Sequence, residues 1–171
     1  MTTTNDYWYC PFAYCYSNYS RTGYAANLLL YTDLISYEGK LLRSTIGGTG
    51  LSVSAHSANK KIALDFAQWV VSGRFQATFY VEHGGQPGHR FAWEDERANA
   101  LTTQFFTNVL PVMERGYTRP RYNGYLHFQD HAGDFIHEYL LHGGNPDAIL
   151  HEMNFLYQQS TSFNLKPAQQ L

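Results

Sequence analysis

The sequence predicts an α/β fold that is mostly helical with a small mixed sheet. Two short apolar runs, residues 41–46 and 51–54, flank a glycine-rich turn at residues 47–50, a pattern typical of neighbouring strands. Further along, apolar residues recur at intervals of three and four, which predicts amphipathic helices. A second glycine-rich segment, residues 84–90, contains too many turn formers for either element and is predicted as a loop.

The first two helices are predicted on either side of that loop. One runs from about Ala58 to Ser72, with Ser57 as its N-cap and Gly73 at its end. Its expected buried face is Ile62, Phe66, Trp69 and Val70. The other runs from about Glu94 to Arg115 with a kink at Pro111. Its expected apolar stripe is Leu101, Phe105, Val109 and Met113.

Two further helices follow in the last third of the chain. The third is predicted from Tyr125 to His142, where Gly143 ends it. Its expected inward residues are Phe128, Ala132, Phe135 and Tyr139. The fourth begins with Asn145 as N-cap and Pro146 at the first helical position. Its expected stripe is Ile149, Met153 and Leu156.

The first forty residues give weaker signals. Aromatic residues dominate positions 6–20, which favours extended structure, and Pro11 argues against a helix there. Residues 24–37 fit a strand or a loose helix equally well. Cys10 and Cys15 would lie about 16 Å apart in an extended chain, beyond the reach of a disulfide, although a turn at Pro11 could bring them together.

Composition narrows the class of protein. A chain of 171 residues suits one domain or one lobe of a larger fold. The net charge of −2 makes nucleic acid and anionic membrane poor partners. No signal peptide and no apolar stretch long enough to span a membrane is visible, so the chain taken alone is expected to be cytoplasmic and soluble. Fourteen tyrosines supply flat apolar rings with hydroxyl tips, which suit sugars or peptides.

Four short motifs lie in an order and at a spacing typical of one known family. They are the aromatic run at residues 10–19, the Gly-Gly-Thr-Gly-Leu-Ser-Val-Ser run at 47–54 with the helix start Asn-Lys-Lys at 59–61, the loop at 84–90, and Arg-Pro-Arg-Tyr-Asn-Gly-Tyr at 119–125. Over residues 7–160 the chain resembles the C-terminal lobe of extracellular solute-binding proteins, the sugar-binding components of ABC importers.

The resemblance implies the C-terminal lobe of the type II periplasmic-binding fold. Residues 1–6 are then a disordered N-terminus, residues 7–160 one incomplete lobe, and residues 161–171 a tail. It also implies a carbohydrate or related polar solute as ligand, ABC permease subunits as partners, no cofactor and no catalysis. The expected location is periplasmic or extracellular, without direct membrane insertion.

The chain departs from the family in two ways. The N-terminal lobe, which would form the other wall of the ligand cleft, and the secretion signal expected of the family are not recognisable in these residues. Either the gene is truncated, or the other lobe is made separately, or the chain is a degenerate remnant. In many relatives the position of Thr49 carries a tryptophan that stacks on the sugar, and threonine cannot stack. A truncated, non-functional remnant is therefore the main alternative.

A sugar site needs flat aromatic rings beside polar groups. The segment from Tyr14 to Tyr19 offers Tyr14, Tyr16, Asn18 and Tyr19, and in a strand Tyr14, Tyr16 and Asn18 would project on one face. Packing of these tyrosines in the core is the competing interpretation. The full set of expected ligand-binding residues is Tyr14, Tyr16, Asn18, Tyr19, Gly48, Thr49, Gln86 and Arg90.

The loop residues in that set carry their own alternatives. The guanidinium of Arg90 could bind hydroxyls or a carboxylate, or form a surface ion pair with Glu94 or Asp95. The amide of Gln86 suits a pair of hydroxyls, or is merely solvated. Gly48 would let the backbone approach a ligand, or only form the turn.

A metal-dependent hydrolase using His127 and His131 is a further alternative. The two histidines lie four residues apart on a predicted helix, a spacing that can hold zinc. Phe128 stands where the zinc-protease motif requires glutamate, so no metal site is predicted.

Overall fold

The computed structural model describes residues 1–10 and 14–162. About half of the chain is helical, and a two-stranded antiparallel sheet accompanies the helices, which is compatible with the α/β class. Contacts divide the chain into two compact units, residues 1–118 and residues 119–171. The expected division into a disordered N-terminus, a single lobe and a tail over residues 161–171 stays a prediction. Residues 161 and 162 belong to the last helix, and the rest of that tail lies outside the described residues.

The sheet differs from its prediction. Strand β1 (Ser36–Tyr37) pairs with β2 (Lys40–Leu41) in an antiparallel hairpin. The turn is formed by Glu38 and Gly39, both with positive φ, as two-residue hairpin turns require. The strand predicted at residues 41–46 keeps only Leu41 in the ladder. Residues 51–54 form no strand. The hairpin ends at Leu41, before the glycine-rich turn, so residues 51–54 have no neighbouring strand to pair with.

Among the described residues, parallel pairing is found as one isolated bridge. Thr45 pairs with Tyr117, and the Ile46 N–H donates to the Tyr117 carbonyl at 2.9 Å. Gly116 allows this approach, since a Cβ there would lie 2.2 Å from the Ile46 side chain. The small sheet is thus antiparallel rather than mixed, with one parallel contact beside it.

The aromatic N-terminal segment is irregular rather than extended. A 3₁₀ turn spans Ser17–Ser20, and the chain then folds back on itself. The Ser20 hydroxyl donates to the Leu29 carbonyl at 2.6 Å, and the Leu29 N–H donates to the Tyr19 carbonyl at 2.9 Å. Residues 24–35 form neither of the two predicted elements.

The core of the first unit is built on short helices. They are α2 (Gly73–Phe75), α3 (Arg90–Trp93), α4 (Glu96–Leu101) and α5 (Phe105–Glu114). A π-helical turn, Gln76–Tyr80, continues α2. The buried cluster consists of Val81, Trp93, Ala98, Phe105, Phe106, Val109 and Val112.

The helix predicted over Glu94–Arg115 is divided in two. The helix is interrupted at Thr102–Gln104, where Thr103 and Gln104 have positive φ. Pro111, the predicted kink, lies inside α5. The backbone carbonyl of Asn99 accepts hydrogen bonds from the N–H groups of Thr102 and Gln104, which closes α4. The predicted stripe is nevertheless right: Phe105 and Val109 are buried, and Leu101 and Met113 pack against them.

Helix α1 (Lys60–Val70) has nearly the predicted bounds but not the predicted burial. None of its residues is buried, and Ile62 is 69% exposed. Asn59, not Ser57, precedes its first residue. Gly73 does not end it either, because Ser72 caps α2, accepting the Phe75 N–H, and Gly73 begins that helix.

The second unit follows its prediction closely. Helix α6 spans Tyr125–His142 and α7 spans Pro146–Ser162, and the two pack together. Gly143 ends α6 with positive φ, and the Asn145 side chain accepts the N–H of Asp147 at 2.9 Å. The predicted inward residues of both helices are half-buried or buried: Phe128, Ala132, Phe135, Tyr139, Ile149, Met153 and Leu156.

Candidate functional site

A row of tyrosine rings marks the surface of the first unit. Tyr14 and Tyr16 are stacked, with ring centroids 5.9 Å apart and an angle of 28° between their planes. Tyr16 meets Tyr19 edge-on at 6.5 Å, and Tyr19 meets Tyr24 edge-on at 5.4 Å. Tyr14, Tyr16 and Tyr24 are more than half exposed. These four residues, called here the tyrosine row, therefore present aromatic surface to solvent rather than filling the core.

Gln86 attaches the tyrosine row to the 84–90 loop. Its Oε1 accepts the Ser17 N–H at 2.9 Å, and its Nε2 donates to the Cys15 carbonyl at 3.1 Å. These two backbone groups lie on either side of Tyr16. The sequence offered two roles for Gln86, a ligand contact or a solvated side chain, and the structure instead shows both ends of its amide bonded to the backbone around Tyr16.

The side chains of Gln76 and Trp93 hold the backbone of the 84–90 loop. The Gln76 Oε1 accepts the N–H groups of Gly88 and His89 at 2.8 and 2.9 Å. The indole N–H of Trp93 donates to the Pro87 carbonyl at 2.7 Å in a buried bond. A segment rich in glycine is thereby fixed by side chains from the π-helical turn and from α3. Preorganisation of this kind lowers the entropy cost of binding.

Asn18 lies against the start of the same loop. Gly84 has a φ of +85°, and a Cβ placed on it would lie 3.4 Å from the Asn18 amide oxygen. The Arg21 side chain donates to that oxygen at 3.4 Å and also to the Val81 carbonyl. Asn18 is half-buried.

Tyr31 connects the tyrosine row to the core. Its ring meets Phe105 edge-on at 5.0 Å. Burial raises the pKa of the Tyr31 phenol, while a hydrogen bond from the Tyr16 backbone N–H acts in the opposite direction. Burial also raises the pKa of the Cys15 thiol. A phenol and a thiol are both neutral at neutral pH, so these two groups place no charge behind the row.

The glycine-rich run contributes less than predicted. A Cβ on Gly47 would lie 3.6 Å from the Tyr14 hydroxyl, so the beginning of the run is beside the tyrosine row. Gly48 and Thr49 are both exposed, with open space over Gly48. The structure gives neither of them a contact with the row.

Arg90, at the end of the 84–90 loop, forms two ion pairs. Its Nε bonds the Glu94 carboxylate at 2.7 Å and its Nη1 bonds Glu114 at 2.6 Å, and all three side chains are exposed. These bonds raise the pKa of Arg90, chiefly through Glu94. The ion pair with Glu94 is one that the sequence suggested. Asp95, the other suggested partner, instead caps α4 by accepting the Ala98 N–H.

The histidine pair lies in the second unit. The rings of His127 and His131 are 4.1 Å apart on α6, and both side chains are exposed. Within residues 1–10 and 14–162, no group of three or more histidine, cysteine, aspartate or glutamate side chains is arranged to hold a metal ion. The three-ligand site that a metal hydrolase requires is therefore not found in that part of the chain.

Gln76 is the site residue that sequence reasoning missed. It is buried among the apolar residues of Phe75–Tyr80, where its amide reaches the Val70 carbonyl as well as the 84–90 loop. A lone glutamine inside an aromatic run is the available signal, because a buried amide must find hydrogen-bond partners.

Comparison with known proteins gives no relative: no protein-family model, no curated protein and no solved structure matches the chain. The helices among the described residues include none with the length and apolar character needed to cross a bilayer.

Proposed function

We propose that the chain binds a carbohydrate, or a related polyhydroxy solute, on the tyrosine row, and that it serves as the C-terminal lobe of a solute-binding protein of an ABC importer. The observation that carries the ligand class is the exposed, stacked pair Tyr14 and Tyr16, with the backbone on both sides of Tyr16 bonded to Gln86. The four ordered motifs of the sequence support the family, and the chain's role is binding without catalysis.

The chemistry of the tyrosine row fits a sugar. A pyranose ring has an apolar face of C–H groups and a rim of hydroxyls. Tyr14 and Tyr16 offer flat rings for the face, and their phenol hydroxyls both donate and accept for the rim. The half-buried amide of Asn18 supplies a further donor and acceptor at the end of the row.

Arg90 takes no part in this proposal. Its Nε and Nη1 are engaged by Glu94 and Glu114, and the charge of the guanidinium is balanced by these two carboxylates rather than by a ligand. Gly48 and Thr49 stay predicted ligand contacts through the resemblance. Because the Thr49 side chain cannot stack on a sugar ring, the tyrosine row provides the stacking contact in this proposal.

A single wall of aromatic rings binds weakly. One face of the sugar stays in water, so few hydroxyls lose solvent to the protein and affinity in the millimolar range is expected. A second lobe closing over the ligand would cover the other face, and closure around a hinge is a common route to tight binding in two-lobed proteins. The permease would then recognise the closed pair.

Saturation-transfer NMR with a panel of mono- and disaccharides tests the proposal at millimolar ligand. We expect transfer to the C–H protons of at least one sugar, and competition between sugars that share a binding face. Absence of transfer from every sugar, with the chain folded by circular dichroism, would contradict the ligand class.

The second candidate is a truncated, non-functional remnant that binds nothing tightly, and one observation fits it as well as it fits the first. The apolar stripe of α1, formed by Ile62, Phe66 and Trp69, is exposed. An uncovered stripe is expected of a lobe separated from its partner and equally of a decayed chain. Reading the coding DNA around this gene separates the two: an adjacent intact frame for an N-terminal lobe with a signal peptide argues against a remnant.

A further inference from the structure

We propose that His127 and His131 form a surface site for one divalent transition-metal ion of the class that prefers imidazole nitrogen: Cu²⁺, Ni²⁺ or Zn²⁺. The site lies in the second unit and is independent of the sugar site. It is a binding site with two protein ligands and not a catalytic centre.

Sequence and helix geometry bring the two rings together. The chain has eight histidines, and among them His127 and His131 alone are four residues apart. Both belong to the continuous helix α6, so their side chains lie one above the other on the same face. A pair of histidines at this spacing on a helix can chelate one ion.

The distance between the rings suits a shared ion. Their centroids are 4.1 Å apart with an angle of 45° between the planes. Two imidazoles that bind one ion at about 2.0 Å place their centroids roughly 4.5–5 Å apart. The ring separation would have to increase by less than about 1 Å for both rings to bind one ion, and both side chains are exposed.

A hydrogen bond sets the tautomer of the second ring. The Nδ1 of His131 lies 2.8 Å from the backbone carbonyl of His127. A carbonyl only accepts, so Nδ1 carries the hydrogen and Nε2 of the neutral ring keeps its lone pair. Metal-bound histidines commonly have this second interaction, because it fixes the ring orientation and raises the basicity of the other nitrogen.

The surroundings leave the ion accessible. Asp130 and Asp134 are exposed on the same helix and make the local potential favourable for a cation. With two protein ligands, the other coordination positions are filled by water or by a donor from another molecule. Cu²⁺ is expected to bind most tightly, followed by Ni²⁺ and Zn²⁺.

Calorimetric titration of the full chain, produced without a histidine tag, tests the site with Ni²⁺ as the probe. Ni²⁺ avoids the redox chemistry that Cu²⁺ would undergo with the exposed thiol of Cys10. We expect one ion per chain, and a loss of roughly tenfold or more in affinity for His127→Ala and for His131→Ala.

His137→Ala is the matched control. His137 is an exposed histidine of the same helix with no histidine four residues away, so affinity should change less than about twofold. Circular dichroism checks that each variant keeps α6. Wild-type affinity in the double variant His127→Ala/His131→Ala, or an equal loss in His137→Ala, would overturn the proposal.

Discussion

Gln86 hydrogen-bonds the backbone on both sides of Tyr16. It accepts the Ser17 N–H at 2.9 Å and donates to the Cys15 carbonyl at 3.1 Å, across a sequence separation of about seventy residues. The amide thereby holds a tyrosine-rich segment without regular structure against the 84–90 loop. It gives the tyrosine row a fixed position that its own backbone does not provide.

Replacing Gln86 tests this attachment. Gln86→Ala removes both hydrogen bonds and leaves two backbone groups to find water, so we expect a loss of about 1–3 kcal/mol in the free energy of unfolding. Gln68→Ala is the matched control, because Gln68 is exposed on α1 and alanine favours a helix. Urea denaturation measures both. Equal stability of Gln86→Ala and the wild type would mean that the segment is held by other contacts.

The division between α4 and α5 depends on a buried amide. Asn99 is 3% exposed, its Nδ2 donates to the Trp93 carbonyl at 2.8 Å, and its Oδ1 accepts the Thr107 N–H at 2.8 Å. We expect Asn99→Ala to lower the free energy of unfolding by about 2–4 kcal/mol, since it leaves buried polar groups unpaired. Asn108→Ala, at an exposed position of α5, should cost less than about 0.5 kcal/mol.

Failure of Asn99→Ala to destabilise the chain more than Asn108→Ala would contradict this role. Thermal or urea unfolding followed by circular dichroism gives the comparison, and both substitutions remove the same atoms from the chain.

The ion pair between Asp33 and Arg115 predicts a dependence of stability on pH. The hydrogen bond from Arg115 lowers the pKa of Asp33 below its ordinary value of 3.8. A carboxyl group with a lowered folded-state pKa contributes stability above its unfolded-state pKa, about 3.9, and loses it as the pH falls through the folded-state value. Both side chains are partly exposed, so the contribution is about 1 kcal/mol or less.

We therefore expect Asp33→Asn to destabilise the chain at pH 5–7 and to converge with the wild type as the pH falls below about 4. Asp65→Asn is the control, because Asp65 forms an exposed ion pair with Lys61 within α1, worth about 0.3–0.5 kcal/mol. A constant difference between Asp33→Asn and the wild type from pH 7 to pH 2.5 would contradict the account.

Because the apolar stripe of α1 is exposed, we expect the folded chain to tolerate a charged side chain there. Ile62 is 69% exposed, so Ile62→Lys should change the free energy of unfolding by less than about 0.5 kcal/mol and should reduce self-association. Phe106→Lys, at a position with no exposure, should prevent folding. Light scattering and urea denaturation report the two properties. A loss of 2 kcal/mol or more in Ile62→Lys would show that the stripe is covered in the folded chain.

Local signals explain which elements the sequence predicted well. Helices α6 and α7 have their own start and stop residues, with Gly143 and Asn145 between them, and their stripes face each other. The break at Thr102–Gln104 was not foreseen, because it depends on hydrogen bonds of Asn99 and not on a glycine or proline in the break. The exposure of α1 was not predicted. An apolar stripe shows that one face of a helix is suited to packing, but it does not show that another element packs on that face.

For the candidate site, too, the local sequence contained a signal for some residues and none for the contacts between distant segments. The alternation of Tyr14, Tyr16 and Asn18 predicted a shared face on an extended segment, with core packing of the tyrosines as the alternative. The structure exposes Tyr14 and Tyr16, but on an irregular segment beside a 3₁₀ turn rather than on a strand. The joining of this segment to Gln86, and the support of the loop by Gln76, arise from contacts distant in sequence. Such contacts leave no periodic pattern to read.

The substitution that tests the central claim most directly is Tyr16→Ala, compared with Tyr37→Ala. Tyr16 is stacked on Tyr14 in the tyrosine row, whereas Tyr37 is an exposed tyrosine of β1 outside the row. Removal of a stacking ring costs on the order of 1 kcal/mol, about fivefold in affinity. With the sugar that gives the strongest saturation transfer, we expect Tyr16→Ala to weaken binding about fivefold or more and Tyr37→Ala to leave it unchanged. Equal affinity in the two variants, with both folded, would contradict the assignment of the tyrosine row as the sugar site.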